Sequence, residues 1–315
     1  MTKAAELAKM GEVLTNSQIG GRRNIIINGA MQVAQRGTSF SSITSSTYTL
    51  DRFAVRNATA VSQSTDVPSG EGFESSLFYD SDGTRSSSNI RQPMEDVTRL
   101  LNDTAVTLSF WLKSSAATTI SVDLCDANAT NVDVTTSWAK YTVTFPATSN
   151  LNSGDTYEAG AGWVDFNLGS DYPDVYLTGV QLEVGEQATP FEHRSFGEEL
   201  DLCQRYYYKQ ADGSENASQS VGVAFMESSS VVVCCIDLPT TMRATPSNVS
   251  SSVTDGFQFY RNGAADNFTD TYIANAHPNI FTFFNHTQVS GTAGQAGSIK
   301  LNSSATSYIA VDAEL

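Results

Sequence analysis

With 315 residues the chain exceeds the usual single core of about 100–150 residues, so two packed domains are expected. Charged residues are only 17% of it, and a formal net charge of −16 repels phosphate backbones and anionic bilayers, whose binding depends on Lys and Arg displacing counterions. Nucleic acid and membrane insertion are therefore set aside, since no apolar run approaches the roughly 18 residues of a membrane span; the longest near the C-terminal half is VVVCCI at 231–236.

Residues 2–14 carry the clearest helical pattern, with Leu7, Met10 and Leu14 at i, i+3 and i+7 and Thr2 placed as an N-cap. A short helix with one apolar stripe is unstable alone in water. It is expected to pack on its own copies, on another protein or on its own domain, and residues 1–22 read as an attachment or oligomerisation segment. The start lacks the apolar region of a secretory signal. Four cysteines, with Cys234 and Cys235 adjacent, make no disulfide framework in a chain this long, which fits synthesis in a reducing cytosol.

From 23 to 196 the chain reads as successive strands. NIIINGAMQVAQRG, at 24–37, is expected to be an apolar run, an Asn-Gly turn and a strand carrying two glutamines and an arginine. TLDRFAV, VTLSFWLKS, TISVDLCDA, WAKYTVTFP, WVDFNLG and VYLTGVQLEV then alternate apolar and polar residues with polar turns between them. Short strands without intervening helices predict a jelly roll or β-sandwich. In VTLSFWLKS, Val106, Leu108, Phe110 and Leu112 share one face, and Trp111 looks out from the other.

GEELDLCQRYYYK, at 197–209, changes to the helical period through Leu200, Cys203 and Tyr207, with acids at its N-terminal end where the helix dipole favours them. It predicts a connecting helix over 197–210. Strands resume over 211–315 in QSVGVAFM, SVVVCCIDL, GFQFY, NIFTFFN, GSIKL and SYIAVDAEL. The expected fold is thus all-β: a jelly-roll domain, then a second β-sandwich, with one short N-terminal and one short connecting helix.

Sugar binding needs exposed aromatic faces that stack on pyranose C–H groups, with amides and carboxylates around them. Trp111 is such a candidate if its face is open, and is packed under a loop otherwise. Trp163 follows a Gly-rich turn and is a second candidate, whereas Trp138 reads as structural. The polar stretch RNGAADNFTDTYIANAHPN, at 261–279, is expected to be a long binding loop presenting Asn267, Phe268, Tyr272 and His277. His277 and His286 are too loosely spaced for zinc. Without a Gly-x-Ser-x-Gly elbow or a phosphate-cradling glycine loop, no enzyme and no cofactor are expected. A carboxylate pair such as Asp165 with Glu183 is the arrangement that would serve glycoside hydrolysis.

SFWLKSS at 109–115, TTSWAKYTVTFPAT at 135–148 and VYLTGVQLEVG at 175–185 resemble the signature strands of the CenC-like carbohydrate-binding jelly rolls. NIIINGAMQVAQRG, YTLDRFAV at 48–55 and GVQLEVGEQATPFEHRSFGEELDLCQRYY at 179–207 resemble the central module of bacteriophage tail-fibre and related virion-appendage proteins. LPTTMRATPS at 238–247 and the closing SYIAVDAEL are similar to the terminal β domain that follows that module. The resemblance implies a homotrimeric virion protein, made in the bacterial host cytoplasm. Its N-terminus would join other tail, baseplate or capsid proteins, and its β domains would meet host surface polysaccharide during adsorption. A purely structural virion protein, such as a tail adaptor or head fibre, is the alternative, followed by a glycan-cleaving enzyme. The carbohydrate-binding relatives use an Asp-Asp-Val type of strand to help hold a structural calcium; here that place reads TGVQLE, which leaves Glu183 alone, and no metal is expected.

Overall fold

The computed structural model describes residues 23–81, 87–148, 151, 162–169, 173–213, 218–251, 253–269, 271–285, 288–302 and 306–315. The helix expected over 2–14, with Leu7, Met10 and Leu14, lies outside them. Two compact units divide the chain, the first ending at Glu199 and the second running from Leu200 to Glu314.

In the first unit the elements follow as β1 (Ser39–Ile43), β2 (Thr47–Tyr48), β3 (Ala54–Arg56), β4 (Ala58–Ser64), β5 (Ser76–Asp80), β6 (Ser88–Met94), α1 (Val97–Leu101), β7 (Val106–Ser114), β8 (Thr118–Leu124), β9 (Ala127–Val134), β10 (Ala139–Phe145), β11 (Gly162–Gly169) and β12 (Val175–Val184). They form two antiparallel six-stranded sheets, β1-β4-β5-β12-β7-β10 and β2-β3-β6-β11-β8-β9. Consecutive strands from β5 to β8 and from β9 to β12 cross from one sheet to the other. This is a jelly-roll β-sandwich. Period-two alternation fills the space between the sheets: Leu108, Phe110 and Leu112 of β7 and Val164, Phe166 and Leu168 of β11 are all fully buried.

The strand expected after the Asn28-Gly29 turn does not form; residues 24–38 run irregularly, with Ile26, Asn28, Ala30, Met31 and Val33 buried. Asn28 replaces a ladder partner, its amide donating to the carbonyls of Val33 and Asp51 at 2.9 Å and its Oδ1 accepting from Val33 N. Gly29 lies so close to β12 that a Cβ there would stand 2.1 Å from the Val180 carbonyl oxygen. The segment 179–199 grips this run from the other side. Glu192 accepts from the backbone N–H groups of Arg23 and Asn24 at 2.8 and 2.7 Å. Arg194 donates to Ile26 O at 3.1 Å and pairs with Glu199 at 3.3 Å, and Glu199 accepts from Asn28 N. The stretches around 24 and 190 are thus two halves of one buried polar network.

The second unit contains β13 (Tyr207–Asp212), β14 (Ser220–Met226), β15 (Val232–Asp237), β16 (Ser247–Asn248), β17 (Phe257–Arg261), β18 (Ala264–Phe268), β19 (Tyr272–His277), β20 (Ile280–Asn285), β21 (Ala296–Leu301) and β22 (Tyr308–Asp312). Ahead of these strands, α2 spans Phe196–Gln204, so the helix expected over 197–210 is shorter. Tyr207 and Tyr208 pair with Asp312 and Val311 instead, because aromatic side chains favour the pleated ladder. A three-stranded sheet, β13-β22-β16, accompanies a seven-stranded one, β18-β17-β21-β14-β15-β20-β19. The edge strands β18 and β19 are joined by residues 269–271 alone, so the Cα atoms of Phe268 and Tyr272 lie within about 14 Å of each other. The seven-stranded sheet must therefore curl, and Phe257, Phe268 and Phe283 fill its interior with ring centroids 5.6–6.3 Å apart. No described helix is long and apolar enough to cross a membrane.

Candidate functional site

On the β2-β3-β6-β11-β8-β9 sheet, the residues that alternate with the core point away from it. Val55, Ile90, Phe166 and Val122 are inside, and Arg56, Asn89, Arg91, Asp165, Asn167 and Asp123 stand on the opposite face. Register sets them in two rows: Arg56, Asn89 and Asn167 across β3, β6 and β11, and Arg91, Asp165 and Asp123 across β6, β11 and β8. Together with Ser87, Asp126 and Gly169, most of these residues line an open polar cleft of about 410 Å³.

Asp165 is the centre of this face. Its Oδ2 accepts from Arg91 Nη2 at 2.7 Å and from Asn89 Nδ2 at 3.2 Å. Its Oδ1 is buried and meets no hydrogen-bond donor among the described residues. Burial raises the Asp165 carboxyl above the ordinary range, and the neighbouring guanidinium opposes that rise. Asp123 is pushed up to about 6, first by burial and then by the charge of Asp165. Beneath them the Arg91 guanidinium lies 4.5 Å from the centre of the Trp163 ring. An unfilled acceptor, amides and guanidinium groups on one sheet face are groups able to hydrogen-bond hydroxyls.

Trp163 is 1% exposed, so the expectation that it stacks on a sugar is corrected: it packs under Arg91 and fixes that side chain. Trp111 lies on the other sheet, half-buried. A Cβ at Gly179, where φ is +62°, would stand 2.9 Å from Trp111 Cδ1 and 2.6 Å from Phe73 Cζ, so both rings cover this glycine. Farther along that face, Trp138 Nε1 donates to Asp66 Oδ1 at 2.9 Å, Lys113 pairs with Asp66, and Lys113 Nζ sits 4.5 Å from the Tyr176 ring centre.

The expected loop over 261–279 is two strands, β18 and β19. Asn262 and Gly263 both have positive φ and close the β17–β18 hairpin as a two-residue turn, which Asn-Gly favours. Phe268 is fully buried in the phenylalanine cluster and cannot meet a ligand. Asn267 is exposed opposite Gln258, Tyr272 is exposed and stacks on Phe284 at 5.9 Å, and His277 is exposed opposite Ile280.

Asp165 and Glu183 belong to different sheets. Both Glu183 oxygens are occupied, Oε2 by Gln181 Nε2 at 2.8 Å and Thr189 N at 3.0 Å, and Oε1 by the Thr189 hydroxyl. The carboxylate pair weighed for hydrolysis is therefore not assembled. Nor do these contacts fit a calcium at Glu183, and no group of three or more His, Cys, Asp or Glu suited to a metal occurs among the described residues. The carboxylate opposite Asp165 in the ladder is Asp123, which sequence reasoning missed. A usable signal existed, because Asp is disfavoured within strands, yet VDL and VDF each set one between two buried apolar residues.

No protein-family model and no curated protein matches the chain. Solved structures do. An enzymatically active domain of bacteriophage CBA120 tailspike protein 4 is 19% identical, with a TM-score of 0.36, over 51% of this chain and 21% of the tailspike. TmCBM61 in complex with β-1,4-galactotriose is 14% identical, with a TM-score of 0.32, over 52% of this chain and 100% of that one. The tandem CBM22 domains of Paenibacillus barcinonensis Xyn10C are 8% identical, with a TM-score of 0.33, over 94% of this chain and 99% of that one. The matched part thus spans about a fifth of the tailspike domain.

Proposed function

We propose that the chain binds glycan through the cleft on β3, β6 and β11 beside the β8–β9 turn, as part of a bacteriophage appendage that meets host surface polysaccharide. The observation that carries this reading is Asp165: one carboxylate oxygen is held by Arg91 and Asn89, and the other lies buried without a donor beside an open polar cleft. When the Asp165 side chain turns that oxygen to the cleft, a sugar hydroxyl supplies the donor, while Arg56 and Asn167 reach the sugar's other oxygens. In the wider reading the protein is a homotrimer attached to the particle by residues 1–22. In that reading residues 23–196 are the carbohydrate-binding jelly roll and residues 211–315 a receptor-contacting domain. The sequence resemblance at 179–207 supports this assignment, and the chain is not itself an enzyme.

The test is adsorption of the full chain to surface polysaccharide extracted from candidate host bacteria, compared with Asp165→Asn, Arg56→Ala and Tyr272→Ala. Loss of binding in the first two and retention in the third is expected. Loss in Tyr272→Ala alone would move the site to the second unit. Unbroken binding in all three would remove the cleft from consideration.

A further inference from the structure

Asp165 of β11 and Asp123 of β8 stand directly opposite each other on one face, a placement that sets Cβ atoms about 4.5–5.5 Å apart. Both are nearly buried, at 2% and 6% exposure. Arg91 approaches from β6 and is bonded to Asp165 Oδ2. Arg56 lies on β3, and the turn between β8 and β9 contributes Cys125 and Asp126, whose backbone N–H donates to Asp123 Oδ1 at 2.9 Å. One bonded guanidinium does not neutralise two facing carboxylates, and like charges so close do not both ionise freely.

We propose that Asp123 and Asp165 share one proton, and that this proton closes and opens the glycan cleft. With Asp123 protonated, its carboxyl hydrogen is donated to Asp165 Oδ1, and the acceptor is filled from within the protein. When Asp123 gives that proton to solvent, Oδ1 is left for a hydroxyl or ammonium hydrogen of the bound sugar. The ionised cleft then sets Asp123, Asp126 and Asp165 against Arg56 and Arg91. It therefore takes neutral or amino sugars and rejects acidic ones. Asp123 is in this sense a specificity-determining residue. This inference rests on the glycan reading for its ligand, but the shared proton does not.

The rise of the Asp123 carboxyl to about 6 supports the geometry and places the switch in mildly acidic solution. The two groups titrate as a pair. Lowering the pH from 8 to 5 leaves only about one-tenth of the protein with Asp123 ionised, so the apparent affinity falls roughly ten-fold.

Two measurements on the full chain test this. The first follows the aspartate carboxyl carbons by NMR from pH 3 to 9 in the wild type and in Asp165→Asn. The Asp123 signal is expected to move near pH 6, and to return toward the ordinary range once residue 165 is uncharged. Titration of Asp123 near pH 4 in the wild type, or no response to Asp165→Asn, overturns the shared proton. The second measures adsorption of extracted host polysaccharide at pH 5 and pH 8. Asp123→Asn, whose amide always donates, should bind weakly at both values, and Asp123→Ala should bind equally at both. Wild-type-like binding by Asp123→Asn at pH 8 refutes the gate. Absence of binding by every variant at both pH values sinks the glycan reading and the gate, while the carboxyl titration still decides the shared proton.

Discussion

Replacing Arg194 with Ala tests whether the network joining residues 23–28 to 192–199 holds the first unit together. The Arg194 side chain is only 6% exposed; it donates to the carbonyls of Asn24 and Ile26 and pairs with Glu199, itself 8% exposed. Removing the guanidinium leaves a buried carboxylate without its cation and two carbonyls short of a donor. Breaking one side of a buried pair costs about 3–5 kcal/mol. At about 2–4 °C per kcal/mol for a unit of this size, the melting temperature falls by roughly 6–20 °C. The chain's three tryptophans, Trp111, Trp138 and Trp163, all belong to the first unit, so tryptophan fluorescence during urea unfolding reports on that unit alone. A double replacement, Arg194→Leu with Glu199→Leu, should recover part of the loss, since it removes both charges together. A loss below about 1 kcal/mol for Arg194→Ala, in the range of a surface pair, would refute the reasoning.

The Asp66 carboxyl is held below its ordinary range by its hydrogen bonds from Lys113 and Trp138, so its contribution is present above the unfolded-state value and is lost as pH falls through the folded one. Asp66→Asn should therefore flatten the acid limb of the first unit's stability curve without altering it at neutral pH as steeply as a core change; an unchanged acid limb would show that the bonds from Lys113 and Trp138 do not hold the Asp66 carboxyl down. Gly29→Ala places a methyl 2.1 Å from the Val180 carbonyl oxygen, so a fall of several °C in the first unit's melting temperature, or insoluble protein, is expected; a wild-type melting curve would show that the close approach is absent. Burial pushes the Cys234 thiol up to about 12 and the Cys125 thiol up to about 11, while Cys235 is exposed. Iodoacetamide at neutral pH should thus label Cys235 first in the native protein, and rapid labelling of Cys234 would contradict the assigned strand faces.

Much of the architecture was legible because strands advertise themselves by period two. WVDFNLG and VTLSFWLKS alternate in sequence as they do in space, and the inward set of each is buried. The Asn262-Gly263 hairpin carried a signal, since that dipeptide adopts positive φ at both positions, but the stretch over 261–279 reads as one loop because of its polar residues. The candidate site was harder to see. Asp165 and Asp123 are 42 residues apart in sequence and meet only because β11 lies between β6 and β8. Trp163 misled for the same reason: its strand alternation points it away from the core, and only the neighbouring strand brings Arg91 over its ring.

By itself, then, the sequence determined what is local: the all-β composition, the strands and their apolar faces, and the helical period near 200. Those properties follow from backbone propensity and from side chains two or four residues apart. The tertiary structure alone decided which polar faces are covered, that Phe268 is interior, that residues 24–38 replace a strand with asparagine side-chain bonds, and that two aspartates share one row. Those outcomes depend on strand order and register between distant segments. Side chains far apart in the chain become neighbours only when the sheets assemble, and burial then changes their charge and their partners together.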